Sequence, residues 1–375
     1  MITQKININK EYLKFTDKYF QRTREILEAE EINPYVRYQV FARKPGVVKG
    51  LNEAVDFVKQ TSNARIFALK DGQEYKSCEP LMKLEGRVQS QVDLETVYLG
   101  MISHGLTGDI DMQEVRQRAR DIFQAAKGKP VIYFGARHFY YALDEEIARI
   151  CKEEGFVGAS TDVGAAAWNK LGGGTTPHAL IVSYAAYLKE KNLERNATVE
   201  AAKAFDRHID PKVPRIMLID TFNREIEDTI LTAEAVPNLK GVRIDTCGEN
   251  YAQGSKNITI PELNVPQEYI RGKGVTIASA WALRRAEIID GFPNLELTVS
   301  SGFNARKTAA FIEADRVFQE KFGVPLFHTI GTGSIANPVM ATADIVAYRN
   351  KHGQWEEIHK VGRPEIPTDR LEEIK

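Results

Sequence analysis

The chain has 375 residues, 43% hydrophobic and 27% charged, with 50 Lys and Arg against 51 Asp and Glu for a formal net charge of −1. This is enough chain for one large domain and a smaller one, and the balanced charge excludes a broad basic face for nucleic acid, so any anion must be bound locally. Cys78, Cys151 and Cys247 are far apart and lack CxxC spacing, which argues against a zinc knuckle or a disulfide framework, and no apolar run has signal-peptide or membrane-span length, so a cytoplasmic protein is expected.

Residues 1–125 predict a separate α+β domain. DKYFQRTREILEAE reads as a helix, VRYQVFARKPGVVKG as a strand pair and LNEAVDFVKQT as a helix; ARIFALKDG and LMKLEGRVQS read as strands, and DLETVYLGMISHGL as a helix opening at Asp93. Hairpin-like strands mixed with helices follow α+β logic. The boundary falls near the predicted helix DMQEVRQRARDIFQAAKG.

From Lys129 the rhythm changes to short apolar strands alternating with helices. PVIYFGARH, GFVGAST, GGGTTPHALIV, RIMLIDTF, GVRIDT, LTVSSG and FHTIGTG make seven such units, each ending in polar or small residues. The pattern predicts a parallel β/α barrel over 126–340, irregular or open because eight units are the usual closure, with its active face at the strand ends. After Ala341 two strands around Lys351-His352-Gly353 are expected to rejoin the N-terminal sheet, which assigns 341–375 to the first domain.

The strand ends carry Arg137 and His138, Asp162, His178, Asp220, and Arg243 with Asp245. Each alone is an ordinary cap or solvated side chain, but their common address on one rim points to a site. Arginines pair with phosphate or carboxylate oxygens, while Asp220 and Asp245 can hold sugar hydroxyls or a divalent cation such as Mg²⁺. Two small-residue turns follow the last two strands: Ser300-Ser301-Gly302 and Gly331-Thr332-Gly333-Ser334. Either is a common tight turn by itself. At successive strand ends of a β/α barrel the pair suits a phosphate, because glycine lets backbone N–H groups approach it. His178 follows three glycines and a proline and reads either as a cap of the helix HALIVSYAAYLKE or as a nucleophile.

In order along the chain, the phrases YFQRT, LEGR, LET, FGARH, GTTPHALI, LIDTF, VRIDT, VSSGF and IGTGSI resemble those of the nicotinate phosphoribosyltransferases, the shorter archaeal-type members above all. The resemblance implies a type II phosphoribosyltransferase that makes nicotinate mononucleotide and diphosphate from nicotinate and phosphoribosyl diphosphate in NAD biosynthesis. It implies Mg²⁺, coupling to ATP, and a homodimer or higher homo-oligomer in which one subunit completes its neighbour's site. Carried over by position, Phe134 stacks on the pyridine ring and Tyr19 stacks opposite it from the adjacent subunit. Arg137 meets the carboxylate, with His138 and Thr176 also at the substrate, and His178 is the phosphorylated histidine. Asp220 and Asp245 lie near ribose and metal, Arg243 faces phosphate, and Ser301, Gly302, Gly331, Thr332 and Gly333 cradle the 5′-phosphate.

Three departures from the family pattern stand out. The chain carries no cysteine-rich zinc module, so no zinc is expected. A long connection over 247–274 has the length of a lid or binding element. Asp162 stands where nicotinate enzymes tend to have Ser and nicotinamide-using relatives Asp. Quinolinate or nicotinamide phosphoribosyltransferase therefore remains an alternative reading, and a non-catalytic nucleotide-binding paralogue is the alternative from a different class.

Overall fold

The computed structural model describes residues 10–256, 260 and 263–375. Its strands are β1 (Tyr35–Ala42), β2 (Gly46–Val47), β3 (Arg65–Ala68), β4 (Glu74–Tyr75), β5 (Pro80–Arg87), β6 (Val131–Tyr133), β7 (Gly158–Ala159), β8 (Arg215–Leu218), β9 (Leu239–Ile244), β10 (Glu296–Val299), β11 (Thr329–Thr332), β12 (Ala341–Arg349), β13 (Trp355–Glu357) and β14 (Glu372–Ile374). Two six-stranded sheets account for most of them. The first is antiparallel, in the order β13-β12-β1-β5-β3-β14, and the second is parallel, in the order β7-β6-β11-β10-β9-β8.

The first sheet gathers both ends of the chain, as expected from the C-terminal strand pattern. β1 pairs with β12 along its whole length, and β14 pairs with β3. The predicted strand pair VRYQVFARKPGVVKG divides differently. β2 leaves β1 and pairs with β4 in a separate two-stranded ribbon. The helix foreseen from Asp93 begins at Glu95, because the Asp93 carboxylate turns inward to Arg24 at 3.0 Å instead of capping.

The parallel sheet is an open half-barrel with helices outside it, and it has six described strands where seven were predicted. The segment GGGTTP forms no strand and runs directly into the helix His178–Glu190. Three glycines have no side chains to hold a pleated edge, and Gly174 takes a φ of 137°. The gap falls between β7 and β8, the two edges of the sheet. The helices His178–Glu190 and Ala197–His208 therefore turn away and bury Leu180, Tyr184, Ala201 and Phe205 in the same apolar core as Ile26, Val36 and Leu84 of the N-terminal domain. A second core, with Leu297, Trp281, Phe311 and Phe318, lies between the parallel sheet and its helices. No described helix is long and apolar enough to cross a membrane.

Candidate active site

The strand ends of the half-barrel face the antiparallel sheet across a cleft of about 570 Å³. Tyr19, Phe134, Arg137, His138, His178, Arg243, Asp245, Ser301, Gly302 and Gly331–Gly333 line it, all of them candidates from the sequence. The other wall supplies Arg43, Glu95, Asp344, Lys360 and Arg363. A shallower hollow of about 700 Å³ lies at the outer surface between Leu188, Arg195 and Phe222, and it holds none of the candidate residues.

The floor is made by the two turns. β10 ends at Val299, after which Ser301 and Gly302 both take left-handed backbone conformations, φ 74° and 70°. A serine there is strained, a feature that clusters at functional sites. Among the described residues the N–H groups of Ser301, Gly302 and Gly333 have no backbone acceptor. Thr332 ties the turns together, donating to the Phe303 carbonyl at 2.7 Å and accepting from the Ser334 N–H at 3.0 Å. The glycines of the second turn have a further reason to be glycine. A Cβ on Gly331 would lie 2.2 Å from the Phe134 ring, and one on Gly333 2.4 Å from the His138 ring. They let the FGARH segment lie flat on the turn, so the close approach glycine permits here is to a neighbouring side chain.

Above the floor, cationic and aromatic groups alternate. The Arg243 guanidinium carbon sits 5.9 Å from the Tyr19 ring centre and 5.8 Å from that of Phe134. Its Nε is buried without a hydrogen-bond partner among the described residues. Arg137 donates to the Tyr19 hydroxyl and lies 3.6 Å from Glu95 and 3.7 Å from Asp17. Burial pushes the Glu95 carboxyl up to about 8, although Arg137 pulls the other way. His138 meets the Gly333 carbonyl through Nδ1 at 3.2 Å, and burial, reinforced by Arg137, lowers its pKa to about 4. The imidazole is neutral at physiological pH. Tyr19 lines this cleft in its own chain, with its hydroxyl on Arg137.

His178 opens its helix and reaches back into the cleft. Its Nδ1 lies 3.0 Å from Thr221 Oγ1 and its Nε2 2.6 Å from Lys360 Nζ. Lys360 also meets Asp220 Oδ2 at 2.9 Å and the Asp245 carbonyl at 3.1 Å. Burial, then the charge of Lys360, drives the His178 pKa well below its ordinary value. Asp245 is pulled below the usual carboxylate range despite burial, by Arg243 and Lys360, and accepts from Ser300 Oγ at 2.6 Å.

Three sequence candidates stand outside the lining. Asp220 is fully buried and committed to Lys360. Thr176 is consumed inside the fold, accepting from the Leu218 N–H at 3.0 Å and donating to the Met217 sulfur. Asp162 holds Lys18 at 2.7 Å and the Gly172 N–H at 2.8 Å, which braces the loop against the helix that carries Tyr19. It is a brace in this geometry rather than a wall of the cleft. Lys360 and Arg363 escaped the sequence reading, as did Arg43. Arg363 is 7% exposed, and its Nε and Nη1 lack hydrogen-bond partners among the described residues. The available signal was KVGR, two cations around a glycine just after the closing strands.

Among the described residues no cluster of three or more His, Cys, Asp or Glu side chains is arranged for a metal ion. The expected Mg²⁺ fits only as an ion shared with substrate. Asp220 is neutralised by Lys360, whereas Asp245 lines the cleft and offers the single carboxylate that, with phosphate oxygens, suits this ion. The connection 247–274 is pinned at its start, Glu249 pairing with Arg43 at 2.6 Å and Arg363 at 3.0 Å. Its residues 257–259 and 261–262, within the expected lid, lie outside the described residues.

Residues 17–105 match the family model of the quinolinate phosphoribosyl transferase N-terminal domain. A search of curated proteins finds no match. Among solved structures, nicotinate phosphoribosyltransferase from Porphyromonas gingivalis superposes with a TM-score of 0.64 at 13% identity, over 93% of each chain. The Vibrio cholerae nicotinate phosphoribosyltransferase gives 0.61 at 12% identity, over 91% of this chain and 88% of its own. Nicotinate-nucleotide pyrophosphorylase from Pyrococcus furiosus shares 24% identity over 99% of this chain and 91% of its own, with a TM-score of 0.43, too loose a superposition to support an inference. The chain is thus similar over 17–105 to the N-terminal domain of the quinolinate phosphoribosyl transferases, and its fold is that of the nicotinate phosphoribosyltransferases.

Proposed function

We propose that this protein is a phosphoribosyltransferase of NAD biosynthesis, and within that class a nicotinate phosphoribosyltransferase coupled to ATP. The observation that carries the reading is one cleft joining two free-amide turns, four buried or half-buried cations (Arg137, Arg243, Lys360 and Arg363) and the rings of Tyr19 and Phe134. Phosphoribosyl diphosphate is a sugar with phosphate at both ends. The turns suit the 5′-phosphate, and Arg363, whose Nε has no hydrogen-bond partner among the described residues, suits the departing diphosphate. Loss of diphosphate leaves an oxocarbenium-like carbon that the pyridine nitrogen attacks without a general base. The chain's task is to hold the ring, the sugar and the leaving charge in line. Mg²⁺ held between Asp245 and the phosphates would supply charge neutralisation. Arg137 favours an acidic pyridine through its guanidinium, and Asp162, tied to Lys18, no longer speaks for an amide substrate.

The family model over 17–105 favours a second reading, quinolinate as the pyridine acid. Steady-state rates with phosphoribosyl diphosphate and nicotinate, quinolinate or nicotinamide decide between them. Turnover of nicotinate, stimulated by ATP, is expected. Turnover of quinolinate alone, or mononucleotide binding without any turnover, would overturn the assignment.

A further inference from the structure

Lys360 comes from the far end of the chain, after β13, and lies 4% exposed at the centre of the cleft. Its ammonium has three donors and no acceptor. The structure provides three acceptors around it: Asp220 Oδ2 at 2.9 Å, the Asp245 carbonyl at 3.1 Å and His178 Nε2 at 2.6 Å. Nε2 must therefore present its lone pair. The proton sits on Nδ1, which donates to Thr221 Oγ1 at 3.0 Å. A helix-capping histidine needs no such arrangement, and His178 makes no cap bond to its own helix.

We propose that Lys360 is a positioning residue for His178. It selects the tautomer in which Nε2 is the nucleophile and surrenders its Nε2 contact to an oxygen of the incoming phosphoryl group. The proposal rests on the ATP-coupled reading above. The step balances without a proton transfer. The Nε2 lone pair forms the N–P bond at the γ-phosphorus as the bridging Pγ–O bond of the nucleoside triphosphate breaks, and that electron pair leaves with the nucleoside diphosphate. The Nδ1 proton stays on the ring against Thr221. Lys360, still anchored on Asp220, then neutralises the new phosphoryl oxygens. The other charges facing the ring are Asp220 at 3.8 Å, which favours the protonated form, and, further off, Arg243, Arg363 and Arg137, which with burial and Lys360 outweigh it and keep the imidazole uncharged.

Without Lys360 the ring has a different best partner. In Lys360→Met, Nε2–H can donate to the freed Asp220 carboxylate while Nδ1 accepts from the Thr221 hydroxyl, which inverts the tautomer. The test uses full-length protein carrying ¹⁵N-histidine, with the His178 resonances assigned by their loss in His178→Gln. The wild type is expected to show the Nδ1–H tautomer at neutral pH and Lys360→Met the Nε2–H form. Labelling of His178 by γ-labelled ATP should fall by up to about 10⁴-fold, the scale a wrong tautomer costs a triad histidine. A purely structural role would lower thermal stability and leave the tautomer in place. An unchanged tautomer in Lys360→Met, or an Nε2–H or doubly protonated ring in the wild type, overturns the assignment; the wild-type spectrum decides even if the variant does not fold. A wild type with the Nδ1–H tautomer that takes no label sinks the ATP-coupled reading and the transfer role together. A labelled wild type with an unresponsive tautomer removes Lys360 alone.

Discussion

Gly331→Ala tests whether the floor of the cleft sets the position of the stacking ring. The glycine lies inside β11, paired with Ile132 of β6, so its backbone has little freedom to retreat. Its new methyl would stand 2.2 and 2.3 Å from two atoms of the Phe134 ring, where ordinary contact begins at 3.4 Å. The difference, 3.4 − 2.2, requires the ring to move about 1.2 Å. Overpacking of this kind costs about 1–3 kcal/mol of stability. A ring displaced by that distance forfeits most of its aromatic contact with the pyridine, about 0.5–1.5 kcal/mol beyond buried area. At 1.4 kcal/mol per tenfold, this raises KM for the pyridine acid by roughly 2- to 12-fold. KM for phosphoribosyl diphosphate should move less, because the amide donors of Ser301, Gly302 and Gly333 are untouched. The double variant Gly331→Ala/Phe134→Leu should recover the melting temperature but not the pyridine KM. A single variant with wild-type melting and an unchanged pyridine KM would refute the account of both Gly331 and Phe134.

His178→Asn should keep slow ATP-independent transfer and lose ATP stimulation, read as initial rates with and without ATP; full stimulation in the variant rejects the phosphate-carrier role. Asp162→Ala should cost about 1 kcal/mol by freeing the partly buried Lys18 and raise KM for nicotinate and nicotinamide alike, whereas a switch of preference would return Asp162 to the cleft wall. Thermal stability should fall between pH 6.5 and 7.5, below the range in which Lys307, lowered by burial to about 8, acts oppositely. Burial raises the folded-state values of Asp144, Glu225 and Glu287 to about 7 and of Glu95 to about 8, above their unfolded values of 3.8–4.5, so their contribution is complete below those values and lost as pH rises through 7 to 8. The depressed His138 and His328, near 4, act oppositely but only below about pH 6.5, and Glu249, held to about 2, is constant across the window. Glu95→Gln should flatten the slope, and melting temperatures that rise across the window would contradict the assignment.

Local pattern carried much of this fold. The helices at Lys18–Ala29, Leu51–Thr61 and Ala305–Phe322 and the pairing of β12 with the N-terminal sheet were legible from periodicity and turn residues. Strand ends of a parallel sheet share one rim, so Arg137, Arg243 and Asp245 could be gathered by position alone. The failures have a common cause. GGGTTP looks like a unit of the repeat because it precedes an apolar helix, but without side chains it cannot hold a strand, and the helix packs elsewhere. Asp162 and Thr176 sit at the predicted rim, yet their oxygens are used by Lys18, Gly172 and Leu218. Which acceptor a side chain finds is decided by tertiary contacts that no spacing encodes.

Lys360 and Arg363 show the same limit from the other side, and explain why the chain returns to its beginning. A half-barrel open between β7 and β8 leaves its strand ends without a wall on one flank. The strap after β13 lies against the ends of β8 and β9, at Thr221, Asp220 and Asp245, and it is held at both ends by the antiparallel sheet, through β13 on β12 and β14 on β3. Val361 is bonded to the Thr221 carbonyl at 2.9 Å, so the strap touches the same residue whose hydroxyl fixes His178. Lys360 is thus brought onto Asp220 and Asp245, more than a hundred residues earlier in the chain, with a sheet rather than a loop setting its register. The cationic wall of the cleft depends on that sheet closing, because the half-barrel alone presents Asp220 and Asp245 with their neutralising ammonium missing. Two buried carboxylates so exposed to each other would repel or take up protons, and the return of the C-terminal segment supplies the ammonium that offsets both.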